Sequence, residues 1–504
     1  MLRESHVLLF SIFIAGLCSL VYELLIATTT AYFLGDSITQ FSLTIGIYMA
    51  FMGVGSLIAQ WINEERILES FIAFELALAL IGGCAVPLLY FSYAQGLSVQ
   101  LISALLTGII GVLVGLEIPL LSRLMAKHYS LKANLSNVLS IDYFGALIAT
   151  LAFPFVLLPW LGVFKTSLTF GLINLSIALT LLWYFFGRLL PKYKYTLRLL
   201  FILVLILLCI LMWFSKPLND QWNDAVYGDR VVHSEQSQYQ QLVVTRYKDD
   251  IRLYLNGGLQ FSSIDEYRYH ESLIHPAMSR ARHAKNVLIL GGGDGLAVRE
   301  LLKYEQIERI TLVDLDPAVA SLARENHHLL KLNLNALNHP KVSVVHEDGF
   351  VYIAENAAQF DVIFADLPDP KNVSLARLYS KQFYLNIKQR LAPGGIFVTQ
   401  ATSPFFATKT FWSIHNTIAS AGYQRVLPYH INVPSFGEWG FVMACVQHCP
   451  TYNEPNISTR FYSANIDRAM TIFPNDMTNK HSKVSTLDRP DVLHYYLAGW
   501  KYWN

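Results

Sequence analysis

The sequence predicts a chain in two parts: an N-terminal α-helical transmembrane bundle of about seven spans, then a C-terminal α/β domain on a parallel sheet. Three observations predict it. Hydrophobic residues make up 53% of the 504 residues and charged residues only 15%, against about 25% in a typical soluble domain. The deficit is confined to residues 1–215, which hold nearly all the long apolar runs. Beyond Lys216, short apolar runs alternate with helix-length segments, as strands joined by helices do. The expected boundaries are 1–216 for the membrane part, 217–283 for a small β-sheet subdomain and 284–504 for the main α/β domain.

A spanning helix needs about 20 apolar residues. Runs of that kind cover 6–35, 39–62, 70–94, 97–121, 141–160, 166–186 and 199–214, the last short enough to borrow a turn from a flank. The first is too long for a signal peptide and leads into another span, so it is expected to be retained. Arg3 precedes the first run, and Arg66, Arg123, Lys127, Lys132, Arg188, Lys192, Lys194 and Arg198 fall in the second, fourth and sixth connections. The first and third connections carry no Lys or Arg. This asymmetry puts the N-terminus in the cytoplasm. Seven spans then carry the C-terminal half outside, and a count one lower returns it to the cytoplasm. Glu23, Glu75, Glu117 and Asp142 lie in or near the runs, with no Lys or Arg inside to pair with them. Intramembrane acids are costly. Contacts to a headgroup layer or hydrogen bonds between helices are the favoured reading, and a site for a cation is the alternative.

The net charge of +1 leaves no basic footprint for nucleic acid. Five cysteines are too few for a disulfide framework. Cys445 and Cys449 are expected as free thiols, with a pair or a metal site as alternatives. No metal-binding pattern is expected.

Strands are expected at 241–245, 251–255 and 259–261, with Asn256-Gly257 as a turn between the last two. A helix follows at 265–281. Further strands are expected at 286–290, 309–314, 341–346, 362–366 and 396–400, separated by helices through 303, at 317–330 and near 380–391. In such a sheet ligands bind beyond the strand C-termini, where the chemistry-bearing residues of this sequence fall. Gly291-Gly292-Gly293-Asp294-Gly295 follows the first of these strands and lets backbone approach a ligand. Asp314 closes the next strand about 20 residues on, where a carboxylate accepts ribose hydroxyls. Asp348-Gly349 closes the third, where an acid reaches an adenine amino group. Helix capping is the alternative for each acid taken singly. Together they mark a Rossmann-like sheet of the methyltransferase type. Asp366-Leu367-Pro368-Asp369-Pro370 then sets two carboxylates three residues apart at the crevice. Such a pair raises its own pKa, attracts a polycation and can accept a proton.

These residues together resemble the spermidine synthase (polyamine aminopropyltransferase) family. The resemblance runs from Tyr239 to Ala444. It takes in Tyr239-Gln240, Leu255-Asn256-Gly257-Gly258-Leu259-Gln260, Asp265-Glu266-Tyr267-Arg268-Tyr269-His270-Glu271, the glycine loop, Asp348-Gly349, Asp366 to Pro370 and Leu378-Tyr379-Ser380. The N-terminal spans, with Gly115-Leu116-Glu117-Ile118-Pro119, resemble the membrane-bound branch.

The resemblance implies a transferase of polyamine and spermidine biosynthesis in the cell membrane, multi-pass. Its co-substrate is decarboxylated S-adenosylmethionine, with no permanently bound cofactor. Its acceptor is putrescine or a related amine. A homodimer and the lipid bilayer are its other implied partners. Asp366 matches the proton acceptor. Gln240, Gly291, Gly293, Asp314, Asp348 and Gly349 match nucleoside contacts. Asp369, His270, Asp294, Gln260 and Tyr269 match the amine side. The ribose acid of the family is Glu and here is Asp314. Leu367-Pro368 replaces Ser-Ser between the acids. The late loop, Val433 to Trp439, lacks the family's Tyr, and Glu438 and Trp439 are its expected substitutes as an acid and an aromatic face for a cation. A methyltransferase, and a non-catalytic polyamine transporter or sensor, are the rival readings. The tail from His448 carries no expected chemistry.

Overall fold

A computed structural model of the chain describes residues 4–34, 37–218, 222, 227–281, 283–479 and 481–501. Arg3 lies outside them. The chain forms two compact units, Met1–Gln241 and Leu242–Asn504, so the unit boundary falls inside the segment 217–283.

The first unit holds seven apolar helices: α1 (Glu4–Leu34), α2 (Ser37–Ala59), α3 (Ile67–Ala94), α4 (Val99–Met125), α5 (Leu131–Ala152), α6 (Leu158–Tyr184) and α7 (Pro191–Trp213). Ser98 Oγ accepts the Leu101 N–H at 3.3 Å and caps α4, while Pro191 opens α7 with its preset φ. Six continuous helical runs are long and apolar enough to cross a membrane, one fewer than expected. The expected fifth and sixth spans share one run, Lys132–Tyr184, of 53 residues. No loop separates them. A π-helical turn, Phe153–Leu157, carries the chain from α5 toward α6, and the break comes at Gly162 with φ 67°. Only glycine enters that conformation at little cost, so the helix bends there instead of ending. Helix α5 also begins nearly three turns before the expected hydrophobic region, at Leu131. Its polar first turn is stabilised by the Asn134 amide, which donates to the Ser122 carbonyl at 2.7 Å.

Small residues bring these helices together. A Cβ at Gly55 would lie 2.1 Å from the Val112 carbonyl oxygen, and one at Gly115 2.1 Å from that of Met52, so α2 and α4 meet backbone to backbone. Of the four acids, Glu75 and Glu117 are buried, and Glu23 and Asp142 are half-buried. Glu75 accepts from the Asn174 amide at 3.0 Å, a bond from α3 to α6.

The second unit opens on an antiparallel meander of β2 (Gln241–Tyr247), β3 (Asp250–Leu255) and β4 (Gly258–Ser262). Its Asn256-Gly257 turn has positive φ at both residues, as a two-residue hairpin requires. A strand that the sequence pattern did not reveal, β1 (Arg230–Gln236), precedes it at the end of the first unit. The main sheet comprises β5 (Asn286–Gly291), β6 (Arg309–Asp314), β7 (Val342–His346), β8 (Phe360–Asp366), β9 (Leu391–Gln400), β10 (Arg425–Val433) and β11 (Gly437–Cys445), in the order β10-β11-β9-β8-β5-β6-β7. Strands β5 to β9 pair in parallel, and β11 and β10 add an antiparallel edge that was not expected. Residues Val287, Leu288, Ile289 and Leu290 are all fully buried, the near-continuous apolar run of a strand covered on both faces. Strand order reverses between β5 and β8, so the crevice opens at their C-terminal ends.

Cys445 and Cys449 form a disulfide, which corrects the expectation of free thiols. Cys445 ends β11, and the chain turns back so that the two Cα atoms lie 5.4 Å apart, within bridging range.

Candidate active site

The last residue of β8 is Asp366, and it sits level with Gly291, the last of β5. Gly291 has φ 84°, and a Cβ there would lie 2.0 Å from the Asp366 carbonyl oxygen. Only glycine fits, and the loop it begins is thereby held against Asp366. The Tyr269 hydroxyl, from the helix Glu266–Met278, donates to Asp366 Oδ1 at 2.6 Å. The other carboxylate oxygen stays available. Asp366 keeps a partly accessible edge, yet lies deep enough that burial raises its carboxyl pKa, against the pull of the His270 charge and the Tyr269 bond.

His270 is 2% exposed. Its Nδ1 meets Glu266 Oε2 at 2.9 Å, and Glu266 is also gripped by Arg299 through two bonds of 2.9 Å. Burial works against a charge on His270, but the Glu266 bond and charge outweigh it, with Asp294 and Asp366 adding, and its pKa is raised to about 9. An imidazolium therefore stands among the carboxylates at neutral pH. Asp294, whose Oδ1 accepts the Leu296 N–H at 2.9 Å, is pushed up to about 6 by burial. Asp369 is likewise pushed up to about 6 by burial, with hydrogen bonds from Gln400 and Tyr496 opposing. The three carboxylates outnumber the His270 and Lys371 cations beside them, so the ionised site suits a polycation.

On the other side of the glycine loop, the Gly293 N–H donates to Asp314 Oδ2 and the Asp316 N–H to Oδ1, each at 3.0 Å. Asp314 is thus fixed at the end of β6 with lone pairs left for a diol. Asp348 caps the helix Gly349–Glu355 through the Phe350 N–H at 2.9 Å, and its second oxygen pairs with Arg377. The capping alternative is realised at Asp348.

A Spermine/spermidine synthase domain matches residues 266–456. The chain is 42% identical to a polyamine aminopropyltransferase of Leptospira interrogans over 97% of this chain and 98% of that one. The chain belongs to the spermine/spermidine synthase family. Polyamine aminopropyltransferase 2 of Ralstonia nicotianae is 41% identical over 99% of each chain, and the Mycobacterium tuberculosis polyamine aminopropyltransferase is 39% identical over 99% and 97%. Among solved structures, a spermidine synthase in complex with the transition state analogue AdoDATO is 27% identical over 49% of this chain and 86% of its own, with a TM-score of 0.46. Spermidine synthase from Thermotoga maritima is 26% identical over 49% and 85%, with a TM-score of 0.45.

The structure gathers Asp366, Tyr269, His270 and Asp294 of this family member into one cluster, with Asp369 beyond the Leu367-Pro368 turn. The two expected substitutes in the late loop part company. Glu438 accepts from His430 Nδ1 at 2.9 Å, and His430 in turn meets the Ile472 carbonyl, so this acid is engaged across β10 and β11. Trp439 packs against Phe436 at 5.1 Å with the rings tilted by 40°, and Phe436 meets the Tyr269 ring at 6.2 Å. Its buried indole N–H has no partner among the described residues. Gln260 lies on β4, its amide on the Gly258 carbonyl at 3.1 Å. Gln240 lies in a turn of the first unit, its N–H on Ser237 Oγ at 3.0 Å.

Sequence reasoning missed several participants. Glu266, held in place by Arg299, sets the charge of His270. Asp265 accepts from the Ser435 N–H at 2.6 Å and its hydroxyl at 2.9 Å, tethering the late loop. Gln400 and Thr402 both reach Asp369 at 3.3 Å. Lys371 is mostly buried beside Asp369, and burial lowers its pKa. Glu266 stood inside a quoted motif, and its i,i+4 spacing to His270 was the available signal. Glu271, His275 and Glu300 place ligand-type atoms within 4.8 Å of one another. Each has partners in the protein: Glu271 takes the N–H groups of Arg460, Phe461 and Tyr462, and His275 bridges Glu300 and Tyr304 at 3.0 Å.

Proposed function

We propose that this chain transfers the aminopropyl group of decarboxylated S-adenosylmethionine to putrescine or a related amine, giving spermidine, or the corresponding product, and methylthioadenosine. The observation that carries this reading is Asp366, at the crevice, oriented by Tyr269 and flanked by Asp294 and Asp369, in a chain 39–42% identical over nearly its whole length to polyamine aminopropyltransferases. The amine nitrogen attacks the carbon beside the sulfonium. The C–S bond breaks, and its electron pair goes to sulfur to leave a neutral thioether. The proton lost by the nitrogen passes to Asp366 and on to solvent. The carboxylates hold and orient the diamine, so that one nitrogen meets the reacting carbon in line. Gly291, Gly293, Asp314, Asp348 and Gly349 form the nucleoside side of a methyltransferase-type sheet, and Gln240 keeps its family role. The functional division is 1–216, 217–283 and 284–504.

The first unit is read as membrane-embedded. Helix α7 is apolar from Leu199 to Trp213, yet of that stretch it buries only Val204 and Leu208. Trp160, Trp183 and Trp213 are 81%, 74% and 83% exposed. Apolar surface on this scale calls for lipid. The reading places the protein in the cell membrane as a multi-pass enzyme, and the family adds a homodimer, checked by the mass of the detergent-solubilised protein. The deciding experiment incubates purified protein with decarboxylated S-adenosylmethionine or S-adenosylmethionine and a panel of amines. Methylthioadenosine release lost in Asp366→Asn supports the reading. Adenosylhomocysteine alone makes the chain a methyltransferase, and binding without product makes it a sensor or transporter.

A further inference from the structure

We propose that the α/β half faces the side of the membrane opposite the cytoplasm, so that its site takes the amine from that side and releases the product there. The proposal rests on the membrane reading and, for the amine, on the aminopropyl-transfer reading.

Side chains tie together one end of the helical unit. Glu4, which opens α1, pairs with Arg188, just before α7, at 2.7 Å and meets His128, just after α4, at 3.3 Å. Arg123, in the last turn of α4, donates to the Ala59 and Ile62 carbonyls at the end of α2, at 2.8 and 2.7 Å. The Leu190 N–H donates to Glu69, in the first turn of α3, at 2.8 Å. The Asn134 amide, near the start of α5, reaches the Ser122 carbonyl near the end of α4 at 2.7 Å. The starts of α1, α3, α5 and α7 and the ends of α2, α4 and α6 therefore share this end.

Aromatic rings mark the other end. Phe33, next to last in α1, stacks on Tyr93 at 4.4 Å and meets Tyr90 at 4.9 Å, both late in α3. Phe164, just past the Gly162 break, meets Tyr90 at 6.0 Å. From there α6 runs back along α3. Ser167 Oγ donates to the Gly82 carbonyl at 2.9 Å and the Asn174 amide to Glu75 at 3.0 Å, so rising numbers in α6 meet falling numbers in α3. The run Lys132–Tyr184 thus goes across, bends and returns, and the bundle passes seven times between its ends. An odd number of passes brings the chain out of α7 at the aromatic end. The residues after α7 are found there. The Trp222 ring lies 5.4 Å from Phe164 and 6.4 Å from Tyr90, and the Tyr227 and Tyr32 hydroxyls are hydrogen-bonded at 2.9 Å. No described helix after Trp213 is long and apolar enough to cross again.

Charge names the two sides. The three connections at the first end, with the helix turns beside them, carry eight Lys and Arg, among them Arg66, Lys127 and Arg188. Connections 35–36 and 95–98 at the aromatic end carry none, and Lys165 and Lys216 stand beside α6 and α7 there. Short basic connections stay in the cytoplasm, which places the aromatic end and the α/β half on the far side. The cysteines agree on separate grounds. Cys445 and Cys449, the only two after α7, are joined as a disulfide, and disulfides persist in oxidising compartments and are rare in the cytosol. A donor that carries a sulfonium charge does not cross a bilayer unaided, so a transport step precedes catalysis.

The test labels two single variants at exposed positions, Lys127→Cys at the basic end and Asp488→Cys in the α/β half. Each is read above the wild-type signal from Cys18, Cys84 and Cys209. In spheroplasts a membrane-impermeant maleimide is expected to reach Asp488→Cys, and Lys127→Cys only after lysis. Label on Lys127→Cys before lysis, or none on Asp488→Cys, overturns the proposal. With decarboxylated S-adenosylmethionine and putrescine added outside, wild-type right-side-out vesicles are expected to release methylthioadenosine as they stand, and inside-out vesicles only after detergent. Any other ranking of the two overturns the proposal. If neither releases it even in detergent, the function reading fails, and the labelling still decides which side the α/β half faces. Release of the chain by carbonate overturns the membrane reading and this proposal with it.

Discussion

In the helical unit, buried hydroxyls bond to backbone carbonyls, some on their own helix, as Ser11 to Val7, Thr30 to Ile26 and Ser92 to Leu88 at 3.1, 2.7 and 2.6 Å, and some on a neighbour, as Ser167 to Gly82 and Tyr22 to Phe170 at 2.9 and 3.0 Å. In the α/β unit, buried polar side chains bond to one another, as in the chain from Arg299 through Glu266 to His270. The first arrangement spends these hydroxyls on backbone carbonyls and places no fixed charge. The second fixes charges in space. The difference teaches where this chain invests its electrostatics: shape comes from glycine contacts in one unit, chemistry from a charge network in the other.

The largest expected effect lies in that network. Asp366→Asn is expected to lower kcat by about 10²- to 10⁴-fold, the range of a lost general base, measured as methylthioadenosine release. An unchanged rate would remove the chemical half of the contrast. Glu266→Gln leaves Arg299 and His270 without their shared acid, and about 3–5 kcal/mol of stability is expected to go, read from the unfolding midpoint of the purified protein.

The pH dependence sharpens the contrast further. Asp294 and Asp369, at about 6, must be charged to hold a diamine, so amine KM is expected to climb as pH falls through 6. Stability runs the other way. Their folded values lie above the ordinary 3.8, so the folding advantage they give is full below 3.8 and is lost as pH rises through 6. His270, at about 9 against 6.5, supports the fold fully below 6.5 and loses that support as pH rises through 9. Melting temperatures across pH, with and without diamine, check both signs. The smallest effect belongs to Glu438→Gln. Because Glu438 already pairs with His430, the amine KM is expected to change less than about twofold, within the scatter of a surface change. A tenfold rise would return this acid to the amine site.

Much of this was legible in the sequence. The strands ending at Gly291, Asp314, His346 and Asp366 stand where alternation and turn residues put them, because each is a short apolar run bounded by glycine or acid. The cluster of Asp366, Tyr269, His270 and Asp294 followed from ordered motifs. Other features depend on register or tertiary proximity. Glu438 meets His430 only because β10 and β11 pair with Glu438 opposite Asn432, and no local pattern announces that pairing. Pro428 inside β10 also argued against a strand. The expected spans 141–160 and 166–186 break next to Gly162, where the backbone does kink, but the helical hydrogen bonding that runs through Pro154 and Pro159 as a π turn has no mark in the apolar pattern.

One rung of the sheet has a longer reach. Since Gly291 and Asp366 are level neighbours with no room for a side chain between them, the glycine loop and the acid proposed to take the proton are held as one piece. An insertion in either strand would break both. Gln400 and Thr402, which reach Asp369, sit at the end of β9 and in the segment after it, with no such close approach to Gly291. As relatives diverge in the amine they accept, the changes are expected to accumulate in those segments, while the rung stays as it is.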